Sequence, residues 1–118
     1  MTVVNEGAAD IADLIKTNYQ VVAIGDGRDT TSASQGGLNN FTFQKTGQVP
    51  TVVGSTLIYN VDFTGAQIPA SGVSEIGIFK NGTTNGNGTL LSRVTFTNTG
   101  VVASGDTVSF TIRVEVDN

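Results

Sequence analysis

The chain has 118 residues, of which 38% are hydrophobic and 14% charged, and its formal net charge is −4. This composition is too apolar for a disordered chain, and the length fits one domain with its own core. Because cysteine and histidine are absent, the sequence excludes disulfides, thiolate and imidazole metal sites, and the commonest general base.

The distribution of charge argues against two classes of partner. The 6 basic residues are scattered singly, whereas nucleic-acid binding requires clustered cations. No apolar run reaches the length of a membrane span, and the N-terminus lacks the basic and apolar regions of a signal peptide. We therefore expect neither nucleic acid nor membrane as a partner, and we expect synthesis and assembly in the cytoplasm.

The first element predicted along the chain is a helix over about residues 6–17. Ala8, Ile11 and Leu14 recur at spacings of three residues, which is typical of one helix face. Asn5 is a suitable N-cap, and Lys16 falls in the last turn, where a cation is favoured.

From residue 19 onward, apolar and polar residues alternate, which is typical of β-strands. The predicted strands are 19–24, 41–45, 50–54, 56–63, 73–80, 89–96 and 107–116. Segment 73–80 is apolar on both faces towards its end, which predicts a central strand, and Pro50 predicts an edge or a bulge. The fold class is therefore mainly β: a small antiparallel β-sandwich or barrel of about six or seven strands with one N-terminal helix. We expect a single domain over 1–118, with the sandwich at about 19–117.

Two loops are candidate interaction segments. The polar run at 25–40 has no element of its own and contains Asp26 and Arg28. The loop at 81–88 contains three Asn-Gly pairs, which favour a turn between strands 73–80 and 89–96. Asn85 and Asn87 belong to two of these pairs.

Asp26 and Asp29 are the sharpest polar pair, and with the neighbouring threonines they offer oxygen ligands for a cation such as Ca²⁺. Arg28 between them would repel a cation, and aspartates of this kind more often bond to their own backbone in turns. We therefore interpret the pair as turn chemistry and predict no metal and no cofactor.

Glu75 and Arg93 fall opposite each other, or one step apart, if strands 73–80 and 89–96 form a hairpin. We interpret them as an ordinary cross-strand ion pair on a solvent-exposed face. The alternative is a pair partly covered by a neighbouring subunit, where its geometry would fix the register of strands or subunits.

The residues do not predict an enzyme. Without histidine, a serine nucleophile would need a nearby lysine, and the sequence contains no Ser-x-x-Lys. Carboxylate chemistry on glycosides stays open, since Asp62, Glu75 and Glu115 can converge in a fold of this class. A domain of this size rarely has a cleft deep enough for such a site.

Four motifs follow one another along the chain. They are a glycine-rich turn after the first strand, a glutamate-containing strand, a strand after a glycine-bounded loop, and the start of the last strand: Gly25–Thr31, Ser74–Phe79, Gly88–Phe96 and Ser104–Thr111. In this order they resemble the motifs of a widespread group of small structural proteins of tailed bacteriophages and related viruses.

The resemblance implies a non-enzymatic virion structural protein, located on the capsid surface as a decoration protein or on the tail. Its partners would be further copies of itself, with a trimer favoured, and other virion proteins. The helix and the residues before it are candidates for docking onto a neighbour, and we name Val3, Val4, Ile11 and Leu14. The alternative is a tail-fibre module that binds a host-surface glycan through the loops 25–40 and 81–88.

Overall fold

A computed structural model describes residues 1–116 as one helix followed by seven strands. The elements are α1 Asn5–Asn18, β1 Val21–Gly25, β2 Phe41–Lys45, β3 Thr51–Val53, β4 Thr56–Thr64, β5 Glu75–Phe79, β6 Leu90–Thr95 and β7 Thr107–Glu115, with a 3-10 turn at Gly65–Gln67. The protein is mainly β and sandwich-like, as predicted, and residue 117 of the predicted sandwich lies outside the described residues.

Two antiparallel sheets form the sandwich, with strand orders β2-β1-β5-β6 and β3-β4-β7. The prediction that 73–80 is a central strand is confirmed, because β5 lies between β1 and β6 and is buried on both faces. The predicted hairpin between β5 and β6 is also confirmed. Pro50 directly precedes the short edge strand β3, as its missing N–H leads one to expect.

The core lies between the two sheets and follows the alternation in the sequence. The inward residues of β4 are Leu57, Tyr59, Val61 and Phe63, all buried, and they face the buried isoleucines of β1 and β5. The hydroxyl of Tyr59 donates a hydrogen bond to the Tyr19 carbonyl at 2.6 Å, and burial raises the pKa of Tyr59 to about 12.

Helix α1 begins one residue earlier than predicted, and its N-cap is Val4 rather than Asn5. Small residues allow it to lie close to the sheet: Ala8 and Ala12 are fully buried, and Ala12 joins the core between the sheets. Within residues 1–116, no helix is long and apolar enough to cross a membrane.

Candidate functional site

The outer face of the four-stranded sheet carries a buried ion pair between neighbouring strands. Glu75 in β5 faces Thr95, and Arg93 in β6 faces Gly77, so the two charged residues are diagonal neighbours, offset by two positions rather than opposite or one step apart as expected. Arg93 Nε lies 2.8 Å from Glu75 Oε1, and both side chains are fully buried. The interpretation of this pair as solvent-exposed is therefore wrong. The cover comes from segment 26–40 of the same chain, which folds over this face of the sheet.

The Glu75 carboxylate is held by backbone amides of that segment. The N–H groups of Gly27, Asn39 and Asn40 donate to it at 2.8, 2.9 and 2.8 Å. Burial alone would raise the pKa of this carboxyl, but the hydrogen bonds from Arg93, Asn40, Asn39 and Gly27 together lower the pKa below its ordinary value. The charged form of Glu75 is thus the form that this site is built to hold.

Arg93 binds a different part of the same segment. Its Nη1 donates to the Asp29 carbonyl and to the Thr31 hydroxyl, both at 2.8 Å. Its Nη2 is buried, and no atom of residues 1–116 forms a hydrogen bond with it. The ion pair therefore holds the segment near each of its ends: Arg93 and Glu75 bind the stretch 27–31, and Glu75 also binds Asn39 and Asn40.

Glycine is required where the segment leaves β1. A Cβ added at Gly25 would lie 2.6 Å from Glu75 Oε2, and one added at Gly27 would lie 2.4 Å from the same atom. Both separations are shorter than atoms tolerate, so no larger residue fits without moving the carboxylate. The glycine-rich turn thus contributes one N–H group, that of Gly27, to a carboxylate of its own chain, and the other two backbone donors come from Asn39 and Asn40 at the far end of the segment.

A second apolar cluster lies beside the ion pair on the same outer face. It consists of buried and half-buried residues from the sheet and from segment 26–40: Val21, Ala23, Phe79, Leu38, Phe41 and Leu90. A Cβ at Gly77 would come within 2.9 Å of Leu38 Cδ2, so the absence of a side chain there makes room for Leu38. Segment 26–40 is therefore held by apolar packing as well as by the ion pair.

The two predicted interaction loops meet on this surface. Gly37 and Asn87 form an isolated antiparallel bridge. Gln44 in β2 also binds the second loop, since its Nε2 donates to the Thr83 carbonyl at 3.0 Å and its Oε1 accepts from Gly86 N at 3.1 Å. The segments 26–40 and 81–88 thus form one continuous surface.

The structure places the predicted loop residues in different roles. The Asp26 carboxylate accepts a hydrogen bond from the side chain of Asn40, which is 14 positions away, so it links the two ends of the segment and the interpretation that it bonds to the backbone of its own turn is wrong. Asp29 contributes its carbonyl to Arg93, and its side chain is exposed. Arg28 is exposed, and Asn85 is exposed in a left-handed conformation with φ 52°. Among residues 1–116, no group of three or more acidic side chains is placed to hold a metal ion.

The carboxylates considered for glycoside chemistry do not converge. Asp62 and Glu115 lie on the exposed face of the three-stranded sheet, and Asp62 faces Ser109, six residues along β7 from Glu115. Glu75 lies on the other sheet and is fully buried against Arg93. The expectation that these three groups can share one site is therefore wrong.

The predicted docking residues lie in and before helix α1, with unequal exposure. Val4, Ile11 and Leu14 are 64%, 40% and 57% exposed. Val3 is half-buried. The three exposed side chains follow helical spacing, so they form one apolar stripe beside the buried face of the helix. We refer to Val4, Ile11 and Leu14 as the helix stripe.

An open depression of about 390 Å³ lies beside the covered ion pair, next to the end of β6. Its lining combines one aromatic ring with polar side chains: Arg28, Thr95, Phe96, Thr97 and Asn98. The sequence pattern predicted Thr95 and Phe96 only as the end of strand 89–96 and gave no signal at residues 97–98. Only the packing of segment 26–40 places Arg28 beside them.

Other groups of this site carry no signal in the sequence. The amides of Asn39 and Asn40 bind Glu75 through the backbone, which is common to every residue type. Ser74 Oγ donates to the Gly27 carbonyl at 2.9 Å and so also holds the segment. The one sequence clue to this contact is that Ser74 directly precedes Glu75.

No protein-family model matches this sequence, and no curated protein is significantly similar to it.

Proposed function

We propose that this protein is a non-enzymatic structural component of a tailed-virus particle, a homo-oligomeric β-sandwich on the capsid surface or the tail. The proposal depends on the observation that three motifs of the resemblance come together in the fold. The glycine-rich turn, the glutamate strand and the arginine strand contribute Gly27, Glu75 and Arg93 to one buried cluster. In that cluster, the charged groups fix a surface rather than act on a substrate.

The exposed features suit contact with neighbouring subunits and other virion proteins. The helix stripe presents apolar side chains to solvent at one end of the chain, and such side chains gain free energy when a partner covers them. Virion proteins are present in many copies, so that individually weak contacts add up. The site on this protein that we assign to docking on the particle is the helix stripe.

The test is incorporation into particles. Virions assembled with a tagged wild-type chain should contain it after purification, and a Leu14→Lys variant should be depleted at least several-fold. Thr17→Lys is the matched control, because Thr17 is exposed on the same helix outside the stripe and the change in charge is the same. Absence of the wild-type chain from purified particles would overturn the proposal. Equal incorporation of the two variants would overturn the assignment of the helix stripe as the docking site.

A second candidate function, binding of a host-surface glycan, is favoured by the depression beside Arg28. The depression combines an aromatic ring with hydroxyl and amide groups, as Phe96 provides with Thr95 and Asn98, and such a mixed lining suits a small polar ligand such as a sugar. Glycan-array binding that is lost in Arg28→Ala, at an exposed residue of the lining, and kept in Leu14→Lys would support this function. No binding by the wild-type chain on the array and on host cells would exclude it.

A further inference from the structure

Strand β7 is an end strand of its sheet and has a long, regular free edge. It runs for 9 residues, and its register with β4 is unbroken from Thr107 to Glu115. The other three end strands are less suitable for pairing: β3 has 3 residues and β2 has 5, and β6 contains a register shift. β7 contains no proline and no bulge, the usual features that protect an edge.

Two hydrogen bonds establish which backbone groups of β7 are free. Val116 N donates to the Ser55 carbonyl, and Gly65 N donates to the Asp106 carbonyl. Even-numbered residues therefore direct their N–H and C=O groups towards β4. The odd-numbered residues direct theirs outwards: Thr107, Ser109, Thr111, Arg113 and Glu115. Within residues 1–116, no hydrogen bond is formed by these outward backbone groups.

The inner side chains of β7 are incompletely covered. The even-numbered residues from Val108 to Val116 pack against the core, yet each of them remains half-buried, whereas the inward residues of β4 are buried. A strand added beside β7 would satisfy the free backbone groups and cover these apolar side chains at the same time.

We propose that β7 pairs antiparallel with β7 of a second copy, about a two-fold axis at Thr111, which joins two three-stranded sheets into one of six strands. This inference rests on the homo-oligomeric part of the proposed function and names the contact. It gives a two-fold dimer, in which the same surface is used twice, rather than the trimer expected from the resemblance.

The sequence of β7 is complementary to itself in this register. The axis at Thr111 places Arg113 opposite Ser109 of the second copy, and Glu115 opposite Thr107 of the second copy, so that no like charges face each other. On the inner face, Phe110 lies opposite Ile112 and Val108 opposite Val114, so these four apolar side chains of each copy meet apolar partners in the other. Moving the axis to Arg113 would place two arginines opposite each other and shorten the overlap.

Two charge substitutions at Ser109 test both the contact and its register. Ser109 is exposed, and the pair between Ser109 of one copy and Arg113 of the other occurs twice in the symmetric dimer. Ser109→Glu should tighten the dimer and Ser109→Lys should weaken it, each by about 2- to 30-fold in Kd for two cross-strand charge pairs. Analytical ultracentrifugation between 1 and 100 µM measures the dissociation constant. Thr51→Lys, on the opposite edge strand of the same sheet, should leave it unchanged.

The stability of the monomer changes in the opposite direction, which separates folding from association. Within one chain Ser109 faces Asp62, so Ser109→Lys gains an attractive neighbour and Ser109→Glu a repulsive one. A weaker dimer of Ser109→Lys therefore does not reflect poorer folding. Hydrogen exchange gives a second measurement, since the amides of Ser109, Thr111 and Arg113 should become protected only when the protein is concentrated.

Three results would overturn this inference: a monomer up to 100 µM, a trimer, or equal dissociation constants for the two charge variants. Failure of the proposed function is distinct from these. A dimer with the predicted charge dependence that is absent from virus particles would leave the strand pairing in place and refute the virion role.

Discussion

The carboxylate of Glu75 accepts hydrogen bonds from partners that lie between 18 and 48 positions away in the sequence. Together these bonds fix three stretches of chain on the outer face of the sheet: the turn at Gly27, the pair Asn39 and Asn40, and β6 at Arg93. Because a buried ion pair costs desolvation, its net contribution to stability is modest, but loss of one partner is costly. The pair therefore acts chiefly as a specificity element that gives segment 26–40 one conformation.

Glu75→Gln tests that role. The substitution keeps the size of the side chain but leaves the Arg93 guanidinium buried without a counter-charge, so we expect the free energy of unfolding to fall by about 3–5 kcal/mol. Urea unfolding at pH 7 measures it. Glu115→Gln is the matched control, since Glu115 is exposed and the change there should stay within about 0.5 kcal/mol. Equal effects of the two substitutions would contradict the role assigned to the ion pair.

The same carboxylate predicts a dependence of stability on pH. The pKa of Glu75 is lower in the folded protein than in the unfolded chain. The stabilisation that charged Glu75 contributes is therefore complete above its pKa in the unfolded chain, about 4.3, and is lost as the pH falls through its lower pKa in the folded protein. Between pH 5 and 2, the free energy of unfolding should fall more steeply for the wild type than for Glu75→Gln, and parallel curves would count against this assignment.

The close approach of the turn to Glu75 predicts a contrast between two glycines. Gly27→Ala should lower the free energy of unfolding by about 1–3 kcal/mol, because the new methyl group overlaps Glu75 Oε2. Gly36→Ala, in the same segment, meets nothing within 4 Å and should be neutral or slightly stabilising. Thermal unfolding of the two variants measures the difference, and similar melting temperatures would contradict the crowding at Gly27.

Residue patterns predicted the partners in the ion pair but not their environment. The spacing around the 81–88 turn placed Glu75 beside Arg93, since strand pairing follows from local turn chemistry. Their burial depends on segment 26–40, which lacks periodicity and binds through backbone amides. A pattern of side chains therefore could not reveal that this segment covers the pair.

At the scale of elements, the alternation of apolar residues located all seven strands to within about two residues at either end. It worked best for β4, where every second residue is buried. The order of strands in each sheet was outside its reach, because β1 pairs with both β2 and β5 through contacts far apart in the sequence. Such pairings are fixed by packing of the whole core rather than by local pattern.

Helix α1 and the 81–88 loop are joined by one asparagine. Asn81 Nδ2 donates to the Thr17 carbonyl at 3.0 Å, and its Oδ1 accepts from Gln20 N at 2.9 Å. Asn81→Ala should lower the free energy of unfolding by about 1–2 kcal/mol and accelerate hydrogen exchange at the Gln20 amide. Thr84→Ala, an exposed change in the same loop, should do neither. Unchanged exchange at Gln20 in Asn81→Ala would show that the link is not needed.

At the scale of the whole molecule, a row of phenylalanines connects the two sheets. Phe63 in β4 contacts Phe43 in β2 at 6.2 Å between ring centroids and Phe110 in β7 at 6.1 Å, and Phe110 contacts Phe96 after β6 at 5.6 Å. The first two contacts are edge-to-face, the favoured arrangement of aromatic rings. Phe63 therefore couples one sheet to the other, and we expect the domain to unfold in a single transition.

Phe63→Ala should lower the free energy of unfolding by about 3–5 kcal/mol, because it removes a fully buried ring from both contacts. Phe63→Leu keeps most of the volume and should cost less than about 1.5 kcal/mol. Far-ultraviolet circular dichroism reports the strands, and the near-ultraviolet signal reports packing around the buried Tyr59. In both variants the two signals should change at the same urea concentration, since neither sheet can keep its inner face covered once the other has separated. Two separate transitions in the wild type would mean that the sheets are independent and that the row of rings does not couple them.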